Sequence, residues 1–130
     1  MEFQLLGPVE ARSAGRRLVW GGARPTALLA ALLVHRGRIV PIERLIDLVW
    51  DDDPPPTARG LVASHVAALR RSFAGAGQRL IVTRSPGYLI DTTSAIVDAD
   101  EFERSVARYR QMTGEGNDMV FAYLGFRLVF

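Results

Sequence analysis

The chain has 130 residues, of which 48% are hydrophobic and 23% charged, enough for one domain with a hydrophobic core and a short appendage. It contains no cysteine, which excludes disulfide bonds and thiolate metal sites. The net charge is only +2, so the distribution of charge, rather than its total, must indicate any nucleic-acid partner.

The longest apolar run, residues 27–34, is far too short to span a membrane. Charged residues interrupt the N-terminal segment, so no signal-peptide pattern is present. We therefore expect a cytoplasmic protein without a membrane partner.

The first half of the chain predicts a small sheet followed by two helices. Antiparallel strands are expected at about 2–6, 9–12 and 17–20, where glycine-containing turns separate short apolar segments. Leucines at 28, 29, 32 and 33 have helical spacing and predict a helix over 24–36, ended by Gly37. A brief strand at 39–40 precedes a second helix over 42–50, with Pro41 fitting its first turn.

Thr57 is the predicted N-cap of a third helix, over about 58–74. Four apolar residues of this helix share one side and are expected to face the core: Val62, Val66, Leu69 and Phe73. The opposite side is expected to face solvent or a ligand, and it comprises Thr57, Gly60, Ser64, Ala67, Ala68 and Arg71.

Two short β-branched or aromatic segments follow the third helix. Residues 80–83 and 88–90 predict a β-hairpin around the turn Ser85-Pro86-Gly87, in which Gly87 serves backbone geometry. Residues 96–98 lead into a fourth helix over about 99–112. Residues 113–130 form an apolar, aromatic tail that we leave unassigned.

The stretch from Thr57 to Tyr88 contains no acidic residue and five arginines, namely Arg59, Arg70, Arg71, Arg79 and Arg84. Because phosphate binding is mostly Coulombic, a carboxylate in the contact surface would oppose it. A helix, a turn and a hairpin within such a stretch are the expected layout of a helix that enters a DNA groove, followed by a hairpin wing.

Several short motifs occur in an order that points to one family. They are residues 3–10 (FQLLGPVE), 28–33 (LLAALL), 40–47 (VPIERLID), 49–50 (VW), 57–59 (TAR), 65–71 (HVAALRR) and 83–89 (TRSPGYL). Together they resemble the OmpR-type DNA-binding domain of the Streptomyces antibiotic regulatory protein (SARP) family of transcriptional activators. Residues 98–110 also resemble the opening helix of the bacterial transcriptional activation domain that follows in that family.

The resemblance implies an α+β fold, a winged helix-turn-helix with an N-terminal antiparallel sheet, a three-helix core and a C-terminal β-hairpin wing. It divides the chain into a DNA-binding domain at 1–92, the first helix of an activation domain at 93–112 and the unassigned tail at 113–130. Family members continue well beyond residue 130, so we expect a truncated activation domain.

The implied function is sequence-specific regulation of transcription, as an activator of a biosynthetic or secondary-metabolism gene cluster. The third helix would enter the major groove and the wing would reach the minor groove. The resemblance further implies binding to direct repeats in promoters as a side-by-side pair, and recruitment of RNA polymerase.

Eight residues are candidate DNA contacts: Arg24, Thr26, Arg59, Ser64, His65, Arg70, Arg71 and Arg84. Arg71 faces outward and Arg84 lies at the hairpin tip, which makes them the strongest candidates for phosphate or base contacts. Arg59 and Arg70 flank the apolar stripe of the third helix, and we expect them to support contacts to the DNA backbone. His65 is equally compatible with a structural hydrogen bond. Arg24 and Thr26 are equally compatible with simple helix-cap residues.

The loop between the second and third helices carries Asp51, Asp52 and Asp53. In the resembling fold this loop can contact RNA polymerase, and three carboxylates suit a basic partner surface. The alternative is a stiff, solvated connector.

Enzymatic function is not expected, because the two histidines lie thirty residues apart and no phosphate-loop, dinucleotide or calcium-loop motif occurs. We predict no catalytic residue, no metal and no cofactor. The competing hypothesis is a protein–protein interaction module that keeps the winged fold, binds DNA weakly and modulates a full-length regulator. Alanines at 67 and 68, on the outward side of the third helix, favour it.

Overall fold

The computed structural model describes residues 1–113, and these residues form the predicted α+β winged helix-turn-helix. Within them the elements follow in the order β1 Glu2–Gln4, β2 Glu10–Ser13, β3 Arg16–Arg17, α1 Ala23–Val34, β4 Val40–Pro41, α2 Ile42–Trp50, α3 Ala58–Gly75, β5 Ile81–Arg84, β6 Gly87–Ile90, β7 Ile96–Val97 and α4 Asp98–Thr113. No helix among these residues is long and apolar enough to cross a membrane. The tail that we left unassigned lies, apart from Thr113, outside the described residues.

The N-terminal sheet has the strand order β3-β2-β1-β7. Strand β1 pairs antiparallel with β2, where Phe3 lies opposite Ala11, and parallel with β7, where Phe3 lies opposite Val97. Sequence analysis did not assign β7, because two residues are too few to show strand periodicity. It also placed the third strand at 17–20, whereas β3 ends at Arg17.

The core connects this sheet to the helices. The four leucines of α1 that share helical spacing are fully buried, and the predicted core side of α3 is at most 1% exposed. Phe73 of α3 makes edge-to-face contacts with Phe3 at 5.8 Å and with Trp20 at 6.3 Å between ring centroids. The apolar stripe of α3 therefore determines which side of the helix remains available to a ligand.

The hairpin of β5 and β6, which we call the wing, forms a second sheet with the order β4-β6-β5. Strand β4 passes so close to Gly87 that an added Cβ would lie 1.9 Å from the carbonyl oxygen of Val40. This contact confirms that Gly87 serves backbone geometry. Pro41 belongs to β4 and precedes α2 as its N-cap, so the prediction that it lies in the first turn of that helix was wrong.

Helix α4 is joined directly to the N-terminal sheet. The carboxylate of Asp98 accepts hydrogen bonds from the backbone N–H of Leu5 at 2.7 Å and of Leu6 at 3.2 Å. Arg36, just beyond α1, forms an ion pair with Asp100 and donates to it through Nε at 3.0 Å. Because β7 belongs to the N-terminal sheet, this sheet continues past residue 92, where sequence analysis placed the domain boundary. Helix α1 ends at Val34 with His35 as its C-cap, two residues before the predicted end.

Candidate nucleic-acid interface

The outward side of α3 is lined by small side chains and one arginine. Gly60, Ser64 and Arg71 are exposed, while Ala67 and Ala68 are half-buried. The Ser64 hydroxyl donates to the carbonyl oxygen of Gly60 at 3.2 Å, which holds it close to the helix. This narrow surface allows another molecule to approach the helix backbone closely.

Among the arginines named as candidate DNA contacts, two have guanidinium groups without a partner in residues 1–113. Arg71 on α3 and Arg84 at the end of β5 are exposed, and within residues 1–113 neither side chain makes a hydrogen bond or ion pair. Arg84 pairs through its backbone with Gly87, so it lies at the tip of the wing. Arg71 and Arg84 therefore present positive charge to solvent from a regular helix and a regular strand.

Arg70, the neighbour of Arg71, has its guanidinium engaged inside the protein. It donates to the carbonyl oxygen of Ile81 and to the hydroxyl of Thr83, and it lies 5.7 Å from the ring centroid of Tyr88. The sequence pattern suggested a supporting role on DNA, whereas these contacts direct the side chain toward the wing.

Arg59 forms an ion pair with Glu43 of α2. The two side chains are 66% and 74% exposed, so solvent screens the pair and it contributes little to stability. The guanidinium of Arg59 can therefore leave Glu43 at small cost.

Trp50, at the end of α2, brings together two candidates from different helices. The His65 ring stacks on the Trp50 ring at 6.0 Å, and the Arg24 guanidinium lies 5.6 Å from the Trp50 ring centroid. Burial, followed by the nearby charge of Arg24, lowers the pKa of His65 below its ordinary value of 6.5. The environment of His65 thus favours its neutral form, and its buried Nε2 has no hydrogen-bond partner in the described part of the chain.

The hydroxyl of Thr26 is used within the fold. It accepts a hydrogen bond from Trp20 Nε1 at 2.9 Å and donates to the carbonyl oxygen of Gly22 at 2.8 Å. Thr26 thus connects the start of α1 to the segment that follows β3. Gly22 is the N-cap of α1 and no side chain caps that end, so Thr26 is not the cap residue that sequence analysis left as an alternative.

Asp51, Asp52 and Asp53 lie exposed in the loop between α2 and α3. Asp51 is the C-cap of α2 and has a φ of 54°, a left-handed conformation that is uncommon for a residue other than glycine. The N–H of Asp53 donates to the carbonyl oxygen of Trp50. The loop is therefore held at its start and presents its carboxylates to solvent.

Sequence analysis missed three side chains that organise this surface: Trp50 as the stacking partner, and Thr83 and Tyr88 as partners of Arg70. The hairpin register places Thr83 opposite Tyr88, and that pairing was accessible from the predicted turn. Their contact with α3 had no signal in the sequence. Among residues 1–113, no group of three or more potential metal ligands is close enough to hold an ion.

Comparison with known proteins assigns the fold to a family. Residues 16–90, more than half of the chain, match the family model described as transcriptional regulatory protein, C terminal. The transcriptional regulatory protein MoaR1 of Mycobacterium tuberculosis is 34% identical over 91 residues, which cover 68% of this chain and 29% of that protein. The regulatory protein AfsR of Streptomyces griseus is 36% identical over 98 residues, which cover 75% of this chain and 10% of that protein.

A solved structure agrees with these matches. Mycobacterium tuberculosis EmbR, in complex with a low-affinity phosphopeptide, superposes with a TM-score of 0.74 at 32% identity. The match covers 78% of this chain and 27% of that chain. The chain thus spans less than a third of the length of these relatives. It belongs to the transcriptional regulators that carry an OmpR-type winged-helix DNA-binding domain, and its relatives are SARP-family regulators.

Proposed function

We propose that this DNA-binding regulator activates transcription by placing α3 in the major groove of promoter DNA and the wing at the adjacent minor groove. The observation that carries the proposal is the pair of exposed arginines, Arg71 on α3 and Arg84 at the wing tip, which have no partner in the described residues. A guanidinium binds phosphate or guanine edges with two parallel hydrogen bonds.

The other candidates take secondary roles in this arrangement. Ser64 lies on the outward side of α3, where its hydroxyl can turn toward a base edge or phosphate. Arg59 binds phosphate after leaving Glu43. Arg24, at the start of α1, lies next to backbone N–H groups that attract anions. Thr26 and His65 support the positions of these groups from within the fold.

We further propose that two copies bind direct repeats side by side and that the loop carrying Asp51, Asp52 and Asp53 contacts RNA polymerase. Three exposed carboxylates on a loop held at its start suit a basic surface. The protein would act by binding rather than by catalysis, on DNA in the bacterial cytoplasm, and would serve a biosynthetic gene cluster.

A second function is favoured by one specific observation. Ala67 and Ala68 present only methyl groups at the centre of the outward side of α3, where hydrogen-bonding side chains would strengthen base recognition. A chain of this kind would bind DNA weakly and modulate another regulator through protein contacts.

A salt titration separates the two functions. Duplexes selected by the full chain from a random library would be compared with unselected duplexes by fluorescence anisotropy over a range of salt concentrations. The proposed function predicts an affinity for selected DNA at least about a thousandfold above that for random DNA, with both falling steeply with salt. Equal affinity for the two pools, or no binding at low salt, would contradict it and favour the second function.

A further inference from the structure

Arg70 connects α3 to both strands of the wing. Its Nε and Nη2 donate to the carbonyl oxygen of Ile81 at 3.3 and 3.0 Å, and Nη2 also donates to Thr83 Oγ1 at 2.7 Å. Its guanidinium carbon lies 5.7 Å from the ring centroid of Tyr88 on the partner strand. One planar group therefore contacts three wing residues, which a lysine ammonium cannot reproduce with the same geometry.

The connection lies next to the two strongest DNA-contact candidates. Arg70 immediately precedes Arg71, and Thr83 immediately precedes Arg84. The side-chain hydrogen bond between Arg70 and Thr83 thus links the residue before one candidate to the residue before the other.

The base of the wing is held by the core, where Ile81 and Ile90 are buried, whereas residues 83–86 at its tip are exposed. Strand β6 pairs with the two-residue strand β4, whereas β5 is an edge strand that pairs only with β6 among the described strands. A two-stranded hairpin is marginally stable without further packing. Arg70 contacts the outer part of the hairpin through Thr83, which directly precedes Arg84.

We infer that Arg70 is a positioning residue that holds the wing against α3, so that Arg71 and Arg84 are correctly spaced before DNA binds. This inference rests on the proposed function, since it gives Arg70 a role in the same interface. A prepositioned wing avoids the entropy cost of ordering the hairpin on DNA. A direct phosphate contact by Arg70 would require its donors to leave Ile81 and Thr83.

The test uses a double-mutant cycle of DNA binding with the full chain, comprising R70Q, R84A and the double variant. R70Q should weaken binding about tenfold, the scale expected for losing hydrogen bonds of a charged group. The double variant should bind no more weakly than R84A within about twofold, and it should share the salt slope of R84A, because Arg70 acts through the wing. The inference would be overturned if the binding losses of R70Q and R84A add up in the double variant. In that case the salt slope of the double variant would be about two units lower than that of the unmodified chain.

Three further variants separate geometry from charge and folding. R70K keeps the charge but loses the planar fork, so it should bind as weakly as R70Q, and full recovery would contradict the inference. T83V removes only the hydroxyl acceptor and should weaken binding in the same direction without threatening the fold. R79Q removes an exposed arginine that takes no part in the Arg70 contacts with the wing and should change binding by less than about twofold.

Amide hydrogen exchange tests the positioning without DNA. In the free protein, R70Q and T83V should increase exchange in residues 81–90 while leaving α1 and α2 unchanged. Unchanged exchange in the wing would overturn the inference even if R70Q and T83V bind DNA more weakly. Absence of specific binding by the unmodified chain would refute the proposed function, while the exchange result would still decide whether Arg70 holds the wing.

Discussion

Gly87 shows how one residue can control the attachment of the wing. Strands β4 and β6 pair there, with Pro41 opposite Gly87, and a Cβ on Gly87 would lie 1.9 Å from the Val40 carbonyl oxygen and 2.8 Å from the Pro41 Cα. Both atoms belong to backbone, so neither can rotate away as a flexible side chain would. The sheet can accept a side chain at this position only by moving one strand.

Gly87→Ala should therefore lower the free energy of unfolding by about 1–3 kcal/mol, the typical cost of overpacking. Chemical denaturation measures the effect. Gly60→Ala is the matched control, because a Cβ at Gly60 meets no atom within 4 Å and alanine favours a helix. Equal stability of the two variants would contradict the close approach.

The DNA-contact candidates make a second prediction for single residues. Arg71→Ala and Arg84→Ala should each weaken DNA binding and reduce the salt slope by about one unit, because each removes one phosphate contact. The slope comes from affinity measured at several salt concentrations, with Arg79→Ala as the charge-matched control. An unchanged slope in both variants would remove these residues from the interface.

At the scale of elements, the described part of the chain has two sheets that hold α3 from different directions. The N-terminal sheet contacts it through Phe3 and the aromatic cluster around Phe73, and the wing contacts it through Arg70. Strand β7 is a member of the N-terminal sheet, and helix α4 follows it directly. Asp98 of α4 accepts backbone hydrogen bonds from Leu5 and Leu6. The N-terminal sheet therefore joins α3 and the start of α4 in one unit.

Asp98→Ala should destabilise the N-terminal sheet and α4 together, because two backbone N–H groups lose their acceptor. The expected loss is about 1–3 kcal/mol in the free energy of unfolding. Circular dichroism and chemical denaturation measure it, with the exposed Glu101→Ala as the control on the same helical turn. A loss of similar size in the control would show that the carboxylate of Asp98 has no special role.

At the scale of the whole molecule, charge is distributed so that a small net charge of +2 coexists with a basic surface. Two carboxylates in the first turn of α4 have partners within the protein, since Asp98 accepts backbone hydrogen bonds and Asp100 pairs with Arg36. The segment from α3 to the wing carries arginines without acids. Local charge, rather than total charge, thus makes the molecule suited to DNA.

The stability of the molecule should depend on pH through its two histidines. Burial, and nearby arginines, lower the pKa of both His35 and His65 below 6.5, so the folded state binds protons less readily than the unfolded chain. Their stabilising effect is complete above about pH 6.5 and diminishes as the pH falls below it. The free energy of unfolding should therefore decrease from pH 7.5 to 5.5.

Denaturation at several pH values checks this dependence. His65→Gln and His35→Gln should each flatten part of the profile, and the double variant should flatten it most. A flat profile in the unmodified chain would show that the histidines titrate alike in the folded and unfolded states.

The sequence by itself determined the fold class, the three core helices and the wing. The stripe of Val62, Val66, Leu69 and Phe73 repeats over an 18-residue helix, and so many turns leave little ambiguity in the buried side. The helix bounds agreed within two residues, and the ordered motifs indicated the family. The outward position of Arg71 followed from the same periodicity.

Only the tertiary structure decided the short strands and the side-chain partners. Strand β7 has two residues and no detectable period, and it is a strand only because β1 offers an open edge. Arg70 meets Ile81 and Thr83, 11 and 13 residues away, and Asp98 meets Leu5 across 93 residues. Such pairings form only when the folded chain brings distant residues together. Periodicity in the sequence distinguishes the buried side of an element from its exposed side, but it does not predict which partner a polar group binds.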